Sequence, residues 1–566
     1  MQRLFLLLFL LISVAGVTQE RYYSNPVKIS MLLSGSFAEL RSNHFHSGID
    51  IKTQGTTGLP VYSVADGYVS RISVSPTGYG NALYINHPNG TTSVYGHLMR
   101  FNAALSKYVK DQQYEQKSFR VDLEVPSYLF PVKQNEEIAK SGNSGSSGGP
   151  HLHFEIRDTN TEEPLNPLKY NFPVNDSIPP KIFSVLLVPL SDESNVNFGT
   201  VQRSYPVVFY DGAYHLKNNP VIPVWGQIGV AVQTNDYLNG NYNKCGINLL
   251  RMAVDGETYF TFQLNRFSFD DTRYINSHIV FDEYMSSKRR FQKTWLDPGN
   301  KLPIYNHNGS QGIITPKQDQ VQQIEIELQD TYGNTSLLVF SVKGSFKEIG
   351  PIRNENTTTF KYDRENQFKT SEADVFIPKG ALYDDLNFTY SKKPASAGYY
   401  SDLHNIHNNR VPLQKSATFR IKTKNISGEL ESKVIMANVD TINGEMYAAG
   451  GVYKNGWVET DTKNFGTYAV VVDTLAPEII PLSIKENSLT ESNRIRFKIM
   501  DDLAGIEKVE GIIDGKWALF EYDPRISQIT HYFDKTRFEM NKRHTLKLTV
   551  SDYRGNSSVY EATFWK

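Results

Sequence analysis

Histidines and carboxylates recur in three short segments of the N-terminal third, and their types and spacing could hold a metal ion. The segments are HFHSGID (44–50), VYGHL (94–98) and HLHFEI (151–156). Alternate side chains of a strand share one face, so His151, His153 and Glu155 would lie together, opposite three apolar neighbours. Two imidazoles so placed lie about 6–7 Å apart. One metal ion could therefore take one of them directly and leave the other near a bound water or substrate.

His46 and Asp50 of the first segment could supply the remaining ligands. Gly48 stands between them and lets the backbone turn without a Cβ clash. With one histidine of the third segment they make three protein ligands, which leave one zinc position open, as in catalytic rather than structural sites. Zinc at such a position lowers the pKa of a bound water to about 7. Cys245 is the only cysteine, which excludes a cysteine-rich zinc site and an internal disulfide.

The second segment follows a predicted β-hairpin. LYINH (83–87) and TTSVY (91–95) flank a Pro-Asn-Gly turn. His97 stands just past the second strand, on the parity of Tyr95, and could reach the site from the side. His44 and His87 lie near the segments but off their pattern, and we predict structural roles for both.

Taken in order, these segments resemble the lysostaphin/LytM-type zinc peptidases, the gly-gly endopeptidase family with the duplicated hybrid motif fold. Its pattern is His-x-x-x-Asp, then Tyr-x-His-Leu, then His-x-His. The stretches GLPVYSVADGYVSRI (58–72) and SGNSGSSGGP (141–150) also look like the family, so the resemblance covers about residues 30–172. It implies one zinc ion per chain, held by His46, Asp50 and His153.

The same resemblance implies that His97 and His151 form a catalytic pair. One would act as general base, and the other would stabilise the oxyanion or protonate the leaving amine; the resemblance does not say which. Glu155 would either orient a ligating imidazole or form a plain salt bridge.

The resemblance further implies a zinc metalloendopeptidase that hydrolyses peptide cross-links of peptidoglycan. The family cuts glycine bridges or D-alanyl–diaminopimelate bonds, and the long C-terminal part suggests a Gram-negative, Bacteroidetes-like setting and hence D,D-endopeptidase activity. One alternative is a non-catalytic LytM-type regulator of cell-wall amidases, although such relatives lose ligands and this chain has lost none. Another is a wall-binding or adhesion protein with a vestigial peptidase.

The N-terminus is typical of an exported bacterial protein. Arg3 precedes an apolar stretch, and small residues follow at Ala15 and Gly16, which predicts a signal peptide over residues 1–18. The stretch is shorter than the roughly 20 residues of a membrane-spanning helix, although an uncleaved anchor is the alternative. We therefore expect a periplasmic or extracellular protein with no spanning segment after cleavage.

The rest of the chain reads as β-structure in several domains. A length of 566 residues predicts three to five domains at about 150 residues each. Short alternating runs such as IRFKIM (495–500) and LKLTV (546–550) predict an all-β fold. The net charge is -1 and no long basic run occurs, so nothing indicates nucleic-acid binding. The LytM-type domain would span 19–172, with an insertion at about 101–131 that is either surface decoration or a groove wall or lid.

An internal repeat divides the C-terminal part. DSIPPKI (176–182), NDYLNGNYNKCGI with VDGE (235–257) and DTYGNTS (330–336) resemble, in the same order, DTLAPEI (473–479), DDLAGI with IDGK (501–516) and DYRGNSS (552–558). This order predicts two immunoglobulin-like β-sandwich modules, at 173–346 and 473–566. A different β-sandwich would occupy 350–472. These modules could bind the cell wall or a protein partner.

Overall fold

Strands dominate the computed structural model, which describes residues 22–348 and 357–566. The predicted all-β fold is confirmed, whereas the predicted signal peptide lies outside the described residues. None of the helices in these two ranges is long and apolar enough to cross a bilayer. The domain bounds set from the sequence stay predictions, and the buried apolar side chains gather into four main cores along the chain.

The N-terminal part consists of twelve strands and one helix. These are β1 (Leu33–Gly35), β2 (Ile49–Lys52), β3 (Pro60–Tyr62), β4 (Gly67–Val74), β5 (Asn81–Asn86), β6 (Thr91–Leu98), β7 (Arg100–Phe101), α1 (Ala103–Gln116), β8 (Val121–Glu124), β9 (Pro131–Val132), β10 (Glu137–Lys140), β11 (His151–Asp158) and β12 (Pro164–Leu165). The main sheet has the order β1-β2-β11-β6-β5-β4-β8, with β12 on β11 and β9 on β4, and β3-β10-β7 form a small second sheet. Tyr95 and Phe154 face the core that covers one side of the main sheet. The alternate side chains of β11, His153 and Glu155, therefore lie on the opposite side of this sheet.

Helix α1 lies inside the segment that we set apart as an insertion. Its N-cap is Asn102, whose side chain accepts a hydrogen bond from the backbone N–H of Leu105. Only Leu105, Val109 and Gln113 are buried, at every fourth position, and the other positions are mostly polar. Such a narrow stripe gives little helical periodicity, which explains why the apolar pattern did not predict this helix.

The second part is a twelve-stranded sheet whose buried side chains form one main core. Its elements are β13 (Lys181–Pro189), β14 (Asn195–Val196), β15 (Arg203–Tyr210), β16 (Ala213–Leu216), β17 (Val221–Trp225), β18 (Ile228–Asn235), β19 (Leu249–Val254), β20 (Glu257–Gln263), α2 (Ile275–His278), α3 (Phe281–Ser287), β21 (Phe291–Lys293), β22 (Tyr305–His307), β23 (Val321–Gln329) and β24 (Thr335–Gly344). The strand order is β21-β18-β13-β15-β16-β24-β23-β19-β20-β22, and β17 joins β14 to β24.

The third part has two sheets that enclose a common core. Its strands are β25 (Thr357–Phe360), β26 (Asn366–Lys369), β27 (Ala373–Ile377), β28 (Leu386–Lys393), β29 (Leu403–Ile406), β30 (Pro412–Lys422), β31 (Val434–Val439), β32 (Met446–Ala448), β33 (Val452–Lys454), β34 (Trp457–Asn464) and β35 (Gly466–Val472). One sheet is β25-β28-β29-β35-β31-β32 and the other is β26-β27-β30-β34-β33. Phe388 from the first and Phe419 from the second meet in the core.

The fourth part is a smaller pair of sheets. Its strands are β36 (Glu478–Pro481), β37 (Ser488–Leu489), β38 (Arg494–Met500), β39 (Ile506–Ile513), β40 (Lys516–Ala518), β41 (Glu521–Asp523), β42 (Gln528–Tyr532), β43 (Arg543–Asp552) and β44 (Ser557–Trp565). The sheets are β36-β38-β42-β41 and β37-β44-β43-β39-β40. The alternating run of β38 buries Ile495, Phe497 and Ile499, as its sequence pattern predicts.

The four parts contact one another through side chains of one part that pack into, or pair with, another part. Phe37 and Phe45, from the N-terminal part, belong to the core of the second part. Cys245 of the second part is buried in the core of the first. The fourth part returns to the first, where Lys110 of α1 pairs with Asp534 at 2.7 Å.

Candidate metal centre

The register of three antiparallel strands brings two of the predicted ligands together. Asp50 of β2 lies directly opposite His153 of β11, and on the other side His153 lies opposite Gly96 of β6. A Cβ atom at Gly96 would stand 3.3 Å from the Cβ of His153. The glycine at this position therefore leaves room for the His153 side chain beside it.

His46 completes a triangle of ligand atoms with Asp50 and His153. The His46 Nε2 lies 3.1 Å from the Asp50 Oδ1 and 3.1 Å from the His153 Nδ1, and the last two atoms lie 2.9 Å apart. All three side chains are buried. Nitrogen and oxygen ligands of a tetrahedral zinc ion, bound at about 2.0–2.1 Å, stand about 3.3 Å from one another. The triangle has nearly this size.

Hydrogen bonds on the far side of each ring fix the tautomers. The His46 Nδ1 donates to the backbone carbonyl of Ser36 at 2.7 Å. The His153 Nε2 donates to the Glu155 carboxylate at 2.7 Å. In a neutral imidazole the second nitrogen then carries a lone pair. The His46 Nε2 and the His153 Nδ1 thus direct lone pairs at the same point, together with a carboxylate oxygen.

This donor set fits a zinc ion. Two imidazole nitrogens and a carboxylate oxygen converge within about 3 Å of one another, a spacing that one bound cation can bridge. Two imidazoles and one carboxylate suit zinc, and the other nitrogen of each ring is bonded to a carbonyl or carboxylate, as in known zinc sites.

Charges around Asp50 keep its carboxylate ionised. Burial raises the pKa of Asp50, but the neighbouring His46, His151 and His153 bring it well below its ordinary value. The other oxygen, Asp50 Oδ2, accepts a hydrogen bond from Arg41 Nη2 at 2.9 Å. Sequence reasoning missed Arg41, which precedes the first segment. It holds the carboxylate so that Oδ1 stays directed at the triangle.

His97 reaches the site through an irregularity in β6. The pairing of β5 and β6 shifts register between Asn81 and Leu83, so β6 carries one additional residue there. His97 itself has φ 57°, in the left-handed region. Parity alone would place His97 on the core face with Tyr95, and this bulge turns it to the opposite face. The sequence analysis placed His97 beyond the strand, whereas it lies within β6.

The rings of His97 and His151 lie side by side next to the triangle. Their centroids are 4.7 Å apart, and the His97 ring is 5.8 Å from that of His153. The His97 Nδ1 donates to the carbonyl of Ser144 at 2.8 Å, and the His151 Nδ1 donates to the carbonyl of Gly149 at 2.8 Å. Burial, together with His153 and His151, lowers the pKa of His97 to about 3, so this ring is neutral near pH 7.

The glycine-rich loop at 141–150 does more than turn into β11. Its carbonyl groups fix both rings of the pair, and each ring keeps its Nε2 unused by the loop. The His151 Nε2 lies 3.4 Å from the Asp50 Oδ1, beside the triangle. The sequence does not predict this role, because it is performed by backbone carbonyls, which every residue type carries.

Glu155 joins the site to the rest of the sheet. It is fully buried, and its Oε1 accepts hydrogen bonds from His153, from the Tyr79 hydroxyl at 2.6 Å and from the Ser47 hydroxyl at 2.5 Å. Its Oε2 accepts from Arg157 Nε at 2.6 Å. Burial raises the pKa of Glu155, but Arg157 and His153 hold it far below its ordinary value. Tyr79 and Arg157 had no signal of their own in the sequence.

The remaining nearby histidines have other contacts. The His44 Nδ1 bonds the carbonyl of Ser42 at 2.8 Å, and the buried His87 bonds the carbonyl of Asp66 and the Ser93 hydroxyl, both at 2.8 Å. Neither is part of the triangle. A cleft of about 700 Å³ opens beside Asp50 and His151, large enough for a short peptide.

Two family models match the chain. The model of Peptidase family M23 matches residues 44–114, which include His46, Asp50 and His97. The model of the Zu5-like domain matches residues 357–473, which correspond to the third part.

Curated relatives match about a quarter of this chain. The DD-carboxypeptidase/endopeptidase Mpg of Neisseria meningitidis is 33% identical over 134 residues, 24% of this chain and 24% of that protein. The peptidoglycan DD-endopeptidase ShyA of Vibrio cholerae is 31% identical over 169 residues, 29% of this chain and 33% of that protein. The chain thus matches only about a quarter to a third of the length of these relatives.

A solved structure is similar to about a quarter of the chain. The catalytic domain of the M23 protein EnpA from Enterococcus faecalis is 24% identical, covers 25% of this chain and 92% of that chain, and gives a TM-score of 0.19.

Proposed function

We propose that the N-terminal part, where residues 44–114 match the model of Peptidase family M23, is a LytM-type zinc metalloendopeptidase that cuts peptide cross-links of peptidoglycan. The convergence of His46, Asp50 and His153 on one point, with the paired rings of His97 and His151 beside it, is the observation that carries the proposal. We infer one zinc ion per chain, in an exported protein of the bacterial envelope.

Zinc held by His46, Asp50 and His153 would supply a Lewis acid that brings the pKa of water close to 7. His46, Asp50 and His153 would hold the ion through three ligand atoms, beside the paired rings of His97 and His151. His97, whose Nδ1–H donates to the Ser144 carbonyl, presents an Nε2 lone pair that can take a proton. We assign it the role of general base.

His151 lies at the edge of the cleft and has its Nδ1 bound to Gly149. When protonated, its Nε2 can donate a hydrogen bond to an oxyanion or hand the proton to a leaving amine. In the alternative assignment, His151 is the general base and a protonated His97 is the donor. Both rings are oriented by backbone carbonyls, so the pair is fixed before substrate binds.

The substrate class is supported by the relatives. The Neisseria protein is named a DD-carboxypeptidase/endopeptidase and the Vibrio protein a peptidoglycan DD-endopeptidase. We therefore propose direct D-alanyl–diaminopimelate cross-links, rather than glycine bridges, as the bond that is cut.

The test is incubation of the zinc-loaded mature protein with purified cross-linked muropeptide dimers and, in parallel, with pentaglycine-bridged fragments. Products are identified by mass spectrometry. We expect conversion of direct dimers to monomers by the wild type and little cleavage of glycine bridges. His97→Ala should retain zinc and lose activity by at least 100-fold, as expected for a general base.

His44→Ala is the matched control, because this histidine lies near the segment but outside the triangle. It should retain zinc and activity. A folded, zinc-loaded wild type that cleaves neither substrate would contradict the proposal and favour a non-catalytic regulator. Cleavage of glycine bridges alone would overturn the assigned bond while leaving the peptidase intact.

A further inference from the structure

A second cluster of carboxylates lies away from the metal centre, in the second part of the chain. Asp176, Asp236 and Asp330 each place one oxygen within 4.8 Å of the other two. Asp176 precedes β13, Asp236 follows β18, and Asp330 follows β23. None of the three forms an ion pair with a lysine, arginine or histidine among the described residues. The cluster therefore gathers three carboxylates with no cationic side chain to balance them.

Asp236 is the member that most requires a ligand. Its side chain is only 3% exposed, and its Oδ1 is buried without any hydrogen-bond partner. The Asp176 Oδ2 is likewise buried and unpartnered. A buried carboxylate oxygen without a partner costs free energy, since neither water nor a donor replaces its hydration. Burial and the neighbouring carboxylates raise the pKa of Asp236 to about 8.

The same arrangement occurs again in the fourth part. Asp473, Asp501 and Asp552 also place one oxygen each within 4.8 Å of the others. Asp473 precedes β36 by the same five positions that separate Asp176 from β13. Asp501 follows β38 as Asp236 follows β18. The two clusters thus lie at equivalent points of the internal repeat.

Individual hydrogen bonds repeat as well. The Asp330 Oδ1 accepts from the backbone N–H groups two and four residues on, and its Oδ2 accepts from Asn334 Nδ2 at 2.6 Å. Asp552 makes the same three bonds, the last with Asn556 Nδ2 at 2.7 Å. These bonds hold one carboxylate of each cluster in the same orientation.

Asp501, which is equivalent to Asp236, also has a buried carboxylate oxygen without a hydrogen-bond partner. The Asp501 Oδ2 accepts from the N–H groups of Leu503 and Gly505, whereas its Oδ1 is buried and has no partner. One oxygen at the equivalent position is therefore left free in both copies.

From this repetition we propose that each cluster is a calcium site, so that the chain binds two calcium ions in addition to its catalytic metal. Calcium takes six to eight oxygen ligands at about 2.3–2.6 Å, and carboxylates and backbone carbonyls suit it. Zinc prefers nitrogen and sulfur ligands, which both clusters lack. The inference does not depend on the proposed peptidase function.

The two sites lie where one part of the chain passes into the next. Asp176 stands in the connection between the N-terminal part and β13, and Asp473 directly follows β35. Each ion would tie this connection to two turns of the following β-sandwich. At the first site, the loop after Asp236 also contacts the N-terminal part, where Gly246 N–H donates to the Ser36 hydroxyl at 2.9 Å. Calcium would therefore restrict motion between parts.

The test is equilibrium dialysis of the zinc-loaded full-length mature protein against calcium, with melting temperature measured in parallel. Extracellular calcium modules bind with dissociation constants of about 0.1–1 mM, so the titration extends to about 10 mM. We expect two calcium ions per chain and a rise of several degrees in melting temperature. Magnesium should give a smaller rise, because it demands stricter octahedral geometry.

Asp236→Asn and Asp501→Asn keep the side-chain shape and remove one charge each. Either variant should reduce the stoichiometry to one, and the double variant should bind none, with zinc content unchanged. Asp192→Asn, at an exposed position of the second part, is the control and should bind two. No calcium bound by the wild type, or two ions retained by the double variant, would overturn the proposal.

Discussion

Glu155 shows how a single residue outside the ligand triangle controls it. It accepts hydrogen bonds from His153, Tyr79, Ser47 and Arg157 while lying at 0% exposure. The bond from His153 Nε2 decides which imidazole nitrogen faces the metal. A carboxylate at this position also makes that imidazole a stronger donor.

We predict that Glu155→Gln weakens zinc binding by about 10–100-fold, the usual effect of losing a carboxylate behind a metal-bound histidine. Zinc affinity is measured by competition with a chelator, on protein whose circular dichroism shows the native fold. Glu162→Gln removes the other, more exposed partner of Arg157 and should leave the affinity unchanged. Equal affinities for wild type and Glu155→Gln would contradict the role that we give to Glu155.

Asp236 predicts a pH dependence for the calcium-free protein. Its pKa rises from 3.8 to about 8 on folding, so the folded state favours the protonated form. The resulting stabilisation is complete below about pH 4 and is lost as pH rises through about 8. We expect the melting temperature of zinc-loaded, calcium-free protein to fall between pH 5 and pH 9, by roughly 5 °C or more.

Saturating calcium should remove this fall, because the ion replaces the proton. Asp236→Asn should reduce the fall without calcium, and Asp176, whose pKa burial also raises, accounts for the fall that remains. Identical pH profiles for the wild type and Asp236→Asn would show that this carboxyl does not titrate in that range.

At the level of elements, the site depends on how closely the loop before β2 approaches β11. The sequence predicts that Gly48 allows a backbone turn. In the structure, however, Gly48 is not among the glycines with a left-handed φ. A Cβ atom there would lie 2.3 Å from the Phe154 carbonyl oxygen and 2.8 Å from the Glu155 Cγ. Gly48 is therefore required for close packing rather than for turning.

We predict that Gly48→Ala lowers the free energy of unfolding by about 1–3 kcal/mol, since a backbone carbonyl cannot move aside. It should also weaken zinc binding at least tenfold, because it displaces the segment between His46 and Asp50. Urea unfolding and chelator competition provide the measurements. Gly428→Ala, where a Cβ meets nothing within 4 Å, should change neither. Wild-type zinc affinity in Gly48→Ala would refute the close-packing argument.

The elements also show what the sequence could and could not predict. Alternation placed His151, His153 and Glu155 on one face of β11, and it predicted the β-rich fold, because both follow from local periodicity. The bulge that turns His97, the choice of nitrogen on each ring and the carbonyls of the loop at 141–150 depend on strand pairing and backbone position. Helix α1 escaped prediction because its buried stripe is too narrow.

At the scale of the molecule, the metal centre is not confined to its own domain. Phe45 precedes the ligand His46 and is 1% exposed, packed against Phe267 and His278 of the second part. Phe37 also contacts Phe267. On the opposite side, Arg525 of the fourth part donates to the carbonyl of Ser147, in the loop that orients His151. The second part thus packs against the segment before His46, and the fourth part binds the loop at 141–150.

We predict that a fragment of residues 22–172 folds poorly or binds zinc at least tenfold more weakly than the full chain, because Phe37 and Phe45 lose their partners. In the full chain, Phe45→Ala should cost about 3–5 kcal/mol of stability and weaken zinc binding in the same direction. Phe183→Ala, at a 39% exposed position, is the control. A fragment with full zinc affinity would show that the N-terminal part needs no support.

We infer that His46, Asp50 and His153 alone hold a catalytic zinc and leave His97 and His151 free. Anomalous diffraction at the zinc absorption edge, on crystals of the zinc-loaded protein, locates the ion and its ligands. We expect one peak at this centre, about 2.0–2.2 Å from the His46 Nε2, an Asp50 carboxylate oxygen and the His153 Nδ1. No peak there, or a peak ligated by His97 or His151, would contradict it.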